Sequence, residues 1–341
     1  MKRKKHKKRP RQPGFFDIAK RTTKLTQMGD PLVGLNERID WEAFRADLAC
    51  VHEKERKSTK PIDAVLMFKL LVLQQLHNLS DDRIEYQIRD RLSFMRFLGL
   101  QLEDRVPNAK TVWLFRERLK ELKLVEVLFA RFHEHRAAQG YAARAGQMID
   151  ATFVEVPRQR NGREDNAKIK AGETPADWKE DAAKPMLRQK DVEARWTKKN
   201  EENHSGYKNH INADQAHKLV RSYQVTDASV HDRRVFEELL DQTVDENGNK
   251  RTVYADSAYR SQEKEARLAA ENIPSRICEK GARNHPLTET QKASNKEKSK
   301  VRARVEHVFG AQAHMGGHLV CTLGLLRANV IPQGQAARRS A

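Results

Sequence analysis

Cysteine is scarce in this sequence. Cys50, Cys278 and Cys321 are odd in number, far apart and in no CxxC spacing. That argues against a disulfide framework and a cysteine zinc site, and it fits a reducing cytoplasm. Long apolar runs are also missing. No stretch reaches the roughly 18 residues of a spanning helix, so a membrane is not expected as a partner. The start, MKRKKHKKRPRQ, has no apolar segment behind it and does not read as a secretion signal. No internal repeat is visible. Acidic residues are outnumbered, 47 Asp+Glu against 65 Lys+Arg, which leaves a formal charge of +18 on 341 residues. Such an excess points to a polyanion, most commonly nucleic acid bound through its phosphates.

The length allows two domains. Residues 1–35 read as a basic, disordered tail and 36–140 as helices. PIDAVLMFKLLVLQQLHNLS opens with Pro61 in the first turn, and Ser80 can cap DDRIEYQIRDRL. SFMRFLGL stops at Gly99. In VPNAKTVWLFRERLKEL the apolar face is Val112, Phe115 and Leu119. Arg116, Arg118 and Lys120 are left exposed, and the two arginines are candidates for DNA contact. LVEVLFARFHEHRAAQG ends at Gly140. A basic face on short helices suits either a helix-turn-helix DNA reader or an ordinary bundle, and pattern does not decide between them. His133 and His135 lack the i,i+4 spacing of a helical zinc pair and are expected to face solvent.

From Gly146 the pattern becomes mixed. The expected order is strand, two strands, helix, strand, helix, strand, helix, which makes 141–320 a sheet covered by helices. Asp232 and Ser261 are expected helix caps, and NKEKSKVRARVEHVFG one helix ending at Gly310. Residues 158–203 form a charged insertion, 22 charged in 46, that cannot bury much. A capped turn is expected at Thr174. Trp196 beside Lys198 and Lys199 could stack on bases and contact phosphate, or simply anchor the insertion.

Two apolar runs, MIDATFVEVP and VYADSAYRS, each stop on a lone acid, Asp150 and Asp256. If their strands are neighbours, the backbones lie about 4.8 Å apart. Two carboxylates so placed repel, and one pKa rises unless a cation intervenes. Mg²⁺ or Mn²⁺ suits such hard oxygen donors, and two ions can clamp the attacking and leaving oxygens of a phosphodiester. A third acid is then needed. Glu306 lies about 100° from the centre of the Val301, Val305, Val308 stripe, with Arg302 one turn earlier on its side. An Arg302–Glu306 surface pair is the ordinary alternative. Spacing alone does not prefer these acids to Glu155, Asp214 or Asp232.

The segments LMFKLLVLQQLHNLSDDRIEYQIRDRLSFMRFLGL, MIDATFVEVPRQRN, ARWTKKN, GYKNHINAD, VYADSAYRS and RVEHVFG resemble the insertion-sequence transposases of the IS-five type, over roughly residues 40–330. That resemblance implies the DDE group: an N-terminal helical domain for DNA binding and dimerisation, then a ribonuclease-H-like mixed sheet flanked by helices (α+β, α/β). It implies Asp150, Asp256 and Glu306 as catalytic, metal-holding residues with two Mg²⁺ or Mn²⁺ ions, and Arg302 beside them on DNA. The implied substrate is double-stranded DNA, the element's inverted repeats and a target. The implied reaction is hydrolysis at the ends and attack by the freed 3′-OH, in a homodimer or larger assembly. Two related-group positions differ here: Ser299 replaces a tyrosine and Ala313 a lysine. The segment 321–341, with IPQGQAARRSA, is polar where the family continues into an apolar helix. This suggests a truncated copy, and hence an alternative reading as an inactive DNA-end-binding remnant or repressor.

Overall fold

Capping side chains set the helix boundaries of the first part. The computed structural model describes residues 16–52, 61–141, 143, 145–159, 161–173, 175, 190–199, 201–245, 247–282, 285–319, 324–325 and 327–328. Asp63, not Pro61, starts α4 (Ala64–Leu76): its carboxylate accepts the Leu66 N–H at 2.9 Å, placing Pro61 ahead of the helix. Ser80 caps α5 (Asp81–Asp90) as expected. Gly99, in the left-handed conformation at φ 78°, ends α6 (Leu92–Leu98). Asn108 caps α7 (Ala109–Glu121), and α8 (Leu124–Ala138) follows. Their apolar faces meet around Phe44, Leu70, Leu73, Ile84, Ile88, Phe94 and Val112, each at most 1% exposed. A 3₁₀ turn at Trp41–Phe44 leads into α3 (Arg45–Leu48) and brings Trp41 edge-on to Phe97.

Helix begins well before residue 36, which corrects the expected tail over 1–35. Helices α1 (Asp17–Gln27) and α2 (Pro31–Arg38) cover much of it. Arg96 on α6 fixes them, donating to the Thr22 carbonyl at 3.1 Å and the Asp30 carboxylate at 2.9 Å. No residue of α1 is buried, so hydrophobic pattern could not reveal it. His133 does not face solvent as expected. His133 packs edge-on to Phe129 and bonds to Arg136, and burial pushes its pKa down to about 4. His135 contacts the Arg38 carbonyl.

The second part is a mixed sheet. Strands β1 (Gln147–Glu155), β3 (Glu202–Asp214) and β4 (Val220–Asp227) form an antiparallel set with β3 in the middle. The short β5 (Val253–Ala255) lies parallel to β1 on its other edge. Residues 275–278 continue in parallel beyond β5 through Arg276 N–H to Val253 O and Cys278 N–H to Ala255 O. Alternation along β1 feeds two cores. Met148 meets Ile211, Ala213, Val305 and Val308, while Ile149 meets Phe236, Leu239, Tyr259 and Leu268.

Three local expectations change. The charged insertion is partly regular: it contains α9 (Arg163–Lys170) and β2 (Arg195–Lys199), which pairs with the start of β3. The turn at Thr174 lies outside the described residues. Asp232 caps nothing. It accepts Lys208 Nζ at 2.9 Å, while His231 caps the 3₁₀ turn Asp232–Arg234 ahead of α10 (Phe236–Leu239). Ser261 does cap α11 (Gln262–Ala270). The expected single helix to Gly310 is divided: α12 (Glu289–Arg302), a 3₁₀ turn at Ala303–Val305, and α13 (Glu306–His314), which runs past Gly310.

Part of the C-terminal segment is built into the fold. Ala328 is 1% exposed, and Arg327 forks onto Glu117 of α7 at 2.8 and 2.9 Å. Among the described residues no helix is long and apolar enough to cross a membrane.

Candidate active site

Strand pairing places the two strand-end acids side by side. Ile149 opposes Ala255 in the last parallel pair of β1 and β5, so Asp150 and Asp256 are the next residues of adjacent strands. Their environments differ. Asp150 is 14% exposed in its side chain. One oxygen accepts the Ala151 N–H at 2.9 Å and the other accepts Arg302 Nη1 at 2.6 Å. Burial pushes its pKa above the usual carboxylate range against the pull of Arg302, and the charge of Glu306 pushes the same way. Burial also opposes the charge on Asp256. The Ala258 N–H, the Ser257 hydroxyl and the charges of Arg302 and Lys199 outweigh it and hold that pKa below the usual range. The two acids of the pair are thus shifted in opposite directions.

Helix α12 delivers Arg302 to the pair, and α13 begins at Glu306 on the same side. The split between them explains why the i,i+4 surface pair is absent among the described residues: Arg302 turns to Asp150, and Glu306 is exposed to solvent. Glu306 is within electrostatic reach of Asp150. Among the described residues no three His, Cys, Asp or Glu side chains already converge as a group that could hold a metal. The other candidate acids have structural partners. Glu155 meets His204, Asp214 is fully buried on Arg221, and Asp232 pairs with Lys208.

The nominated DNA contacts separate into two groups. Trp196 is 46% exposed on β2, and Lys198 and Lys199 are exposed on the same strand. Arg158 lies over the Trp196 ring, 5.9 Å from its centroid. Arg116 and Arg118, expected on an exposed basic face, are committed within the fold. Arg116 forks onto Asp81 at 2.6 and 3.0 Å, and Arg118 pairs with Glu121 and the Val51 carbonyl. They brace α7 rather than present charge, and Lys120 is likewise drawn onto Glu117.

Two features near the acids escaped sequence reasoning. Tyr259 is 1% exposed, and its hydroxyl has no partner in the structure. Burial first, then the charges of Asp150, Asp232 and Asp256, raise its pKa. Phe153 and His204 stack at 4.2 Å with 6° between their planes. The signal for Tyr259 was its place three residues after Asp256. Nothing local signals the stack, which depends on the pairing of β1 with β3.

Residues 20–118 match the family described as Transposase domain (DUF772). The chain is also similar, at 10% identity and TM-score 0.44, to the cryo-EM structure of a piggyBac transposase synaptic complex with hairpin DNA, over 88% of this chain and 72% of that one. Residues 142–329, more than half the chain and the part that carries Asp150, Asp256 and Glu306, match the Transposase DDE domain family, to which this protein therefore belongs.

Proposed function

We propose that this transposase is of the insertion-sequence type, cleaves phosphodiesters at the ends of its element and joins the freed 3′-OH to target DNA. The observation that carries the reading is the adjacency of Asp150 and Asp256 at neighbouring strand ends inside the family-matched domain. Asp150, Asp256 and Glu306 are the proposed holders of Mg²⁺ or Mn²⁺. The donor set fits: two hard carboxylates lie side by side, one strained by burial, with a partnerless buried phenol close by. When bound, a divalent pair supplies activation of the attacking oxygen and stabilisation of the leaving one. Arg302 neutralises the site's negative charge and, with Lys199, favours approach of a phosphodiester. Asp256, its pKa held low, stands ready as a ligand, and a metal beside Asp150 would add to Arg302 in offsetting the burial that raises its pKa.

Double-stranded DNA is the proposed partner, consistent with the +18 charge, and two copies are proposed to act together because an element has two ends. Sequencing the DNA that flanks the gene gives the inverted repeats for a cleavage substrate. Wild-type protein with Mg²⁺ is expected to nick at the repeat boundary. Asp256→Asn is expected to bind the same DNA but to cleave at least about a hundredfold more slowly. Unchanged cleavage by Asp256→Asn would sink the carboxylate assignment. Cleavage indifferent to the repeats, with no joining, would point to a nuclease instead.

A further inference from the structure

Strand β5 stops opposite Ile149, and the next neighbour on that edge of β1 is the Glu155–Leu319 bridge. Among the described residues the edge from Asp150 to Val154 is therefore unpaired. Phe153 belongs to this open stretch, three residues and roughly 10 Å along the strand from Asp150, with its ring on the opposite face of β1. We propose that Phe153, His204 and Lys199 form a subsite for an unpaired nucleotide of the DNA end, across the open edge of β1 from the carboxylates. The proposal rests on the transposase reading of the same site.

The chemistry of the three side chains suits a base and its phosphate. The His204 ring covers Phe153 in near-parallel contact and is held from behind by Glu155, 3.1 Å from Nδ1. Two ammonium groups bracket the Phe153 ring, Lys208 at 5.5 Å and Lys199 at 5.6 Å from its centroid. They are not equivalent. Lys208 is spent on the Val230 carbonyl and Asp232. Lys199 is exposed, has no acidic partner among the described residues, and is near enough to Asp256 to influence its charge. An aromatic pair that served only to close a core would be dry and far from charge. This one is partly exposed and borders Lys199, whose charge reaches Asp256.

Stacking on an aromatic ring accepts any base, and a neighbouring lysine meets the backbone phosphate. In an intact duplex each base face is covered by its neighbours, so only a frayed or single-stranded nucleotide can use such a platform.

The test compares two DNA probes without metal: a blunt duplex, and the same duplex with a short 3′ overhang carrying 2-aminopurine at the junction. Wild-type protein is expected to quench the 2-aminopurine fluorescence and to bind the overhang roughly tenfold more tightly than the blunt duplex. The double variant Phe153→Leu, His204→Gln keeps apolar bulk and a polar partner for Glu155. It is expected to lose both the quenching and the preference while binding the blunt duplex as the wild type does. Lys199→Ala is expected to weaken both probes and keep the quenching. Quenching and preference retained in the double variant would overturn the subsite, as would wild-type binding to both probes with neither effect. Wild-type protein that binds neither probe would overturn the transposase reading itself, and the subsite with it.

Discussion

Arg302 Nη1 stands 2.6 Å from Asp150 Oδ2, so a guanidinium already neutralises the acid proposed to hold a metal. On that proposal arginine and a divalent ion would compete for the oxygen. The structure therefore leads us to expect that Arg302→Gln binds Mn²⁺ several-fold more tightly than the wild type in DNA-free protein, read by calorimetry or by the free-Mn²⁺ resonance. Added DNA should narrow the difference, because phosphate offers Arg302 another partner. Equal Mn²⁺ affinity of the two proteins without DNA would show that the pair does not restrain the site.

The opposite shifts of the two aspartates predict opposite effects on stability. Asp150 has a folded pKa above the ordinary value of about 3.9. Its folded state is favoured below that value and loses stability as pH rises through the raised pKa, because the buried carboxylate must ionise. Asp150→Asn should therefore raise the melting temperature of metal-free protein at pH 7, and the gain should fade toward pH 4. Asp256 has a lowered pKa, contributes stability above the ordinary value and loses it as pH falls through its folded pKa. Asp256→Asn should lower the melting temperature at pH 7. Melting curves of both variants across this range check the signs.

These two acids were legible because each ends an apolar run, and an acid in that place is costly without a purpose. Their adjacency was only conditional on strand order, which local pattern does not encode. Arg302 lies on Asp150, beside the acids where the resemblance put it, and the alternative that the helical wheel offered, a surface pair with Glu306, is absent among the described residues, where the 3₁₀ turn at Ala303–Val305 interrupts the helix. Asp232 read as a cap because it opens a helical segment, yet Lys208, on β3, claims it. The Phe153–His204 stack and the Arg96 clamp on α1 and α2 join residues far apart in sequence and carry no local signature.

Arg116 and Lys199 separate bracing from DNA contact. Arg116 shares two hydrogen bonds with Asp81 in a partly buried place, and removing a charged partner of that kind costs about 1.5–3 kcal/mol. Arg116→Ala should lower the denaturation midpoint and leave the salt dependence of DNA affinity unchanged. Lys199→Ala should do the reverse: little change in stability, and a salt slope reduced by about one. Affinity measured over a range of salt concentrations, beside urea melts, distinguishes the two. An altered slope for Arg116→Ala would return it to the DNA-contacting set.

Gly206 marks the place where β3 passes from β2 to β4, and its backbone has φ +144°. A Cβ there would lie 2.3 Å from the Val154 carbonyl and 3.0 Å from the Val156 N–H, both backbone atoms of the chain that carries Asp150 and Phe153. Backbone cannot step aside as a flexible side chain can, and a positive φ adds strain for any side chain. Gly206→Ala should cost at least about 2 kcal/mol of stability. The strain should also spread along β1, so that the Phe153–His204 stack and the spacing of Asp150 from Asp256 loosen together. Urea denaturation measures the first effect. Hydrogen exchange at the Val154 and Val156 amides measures the second, with faster exchange expected in the variant than in the wild type. A variant as stable as the wild type, with unchanged exchange, would mean that β1 and β3 do not approach as closely here as the structure places them.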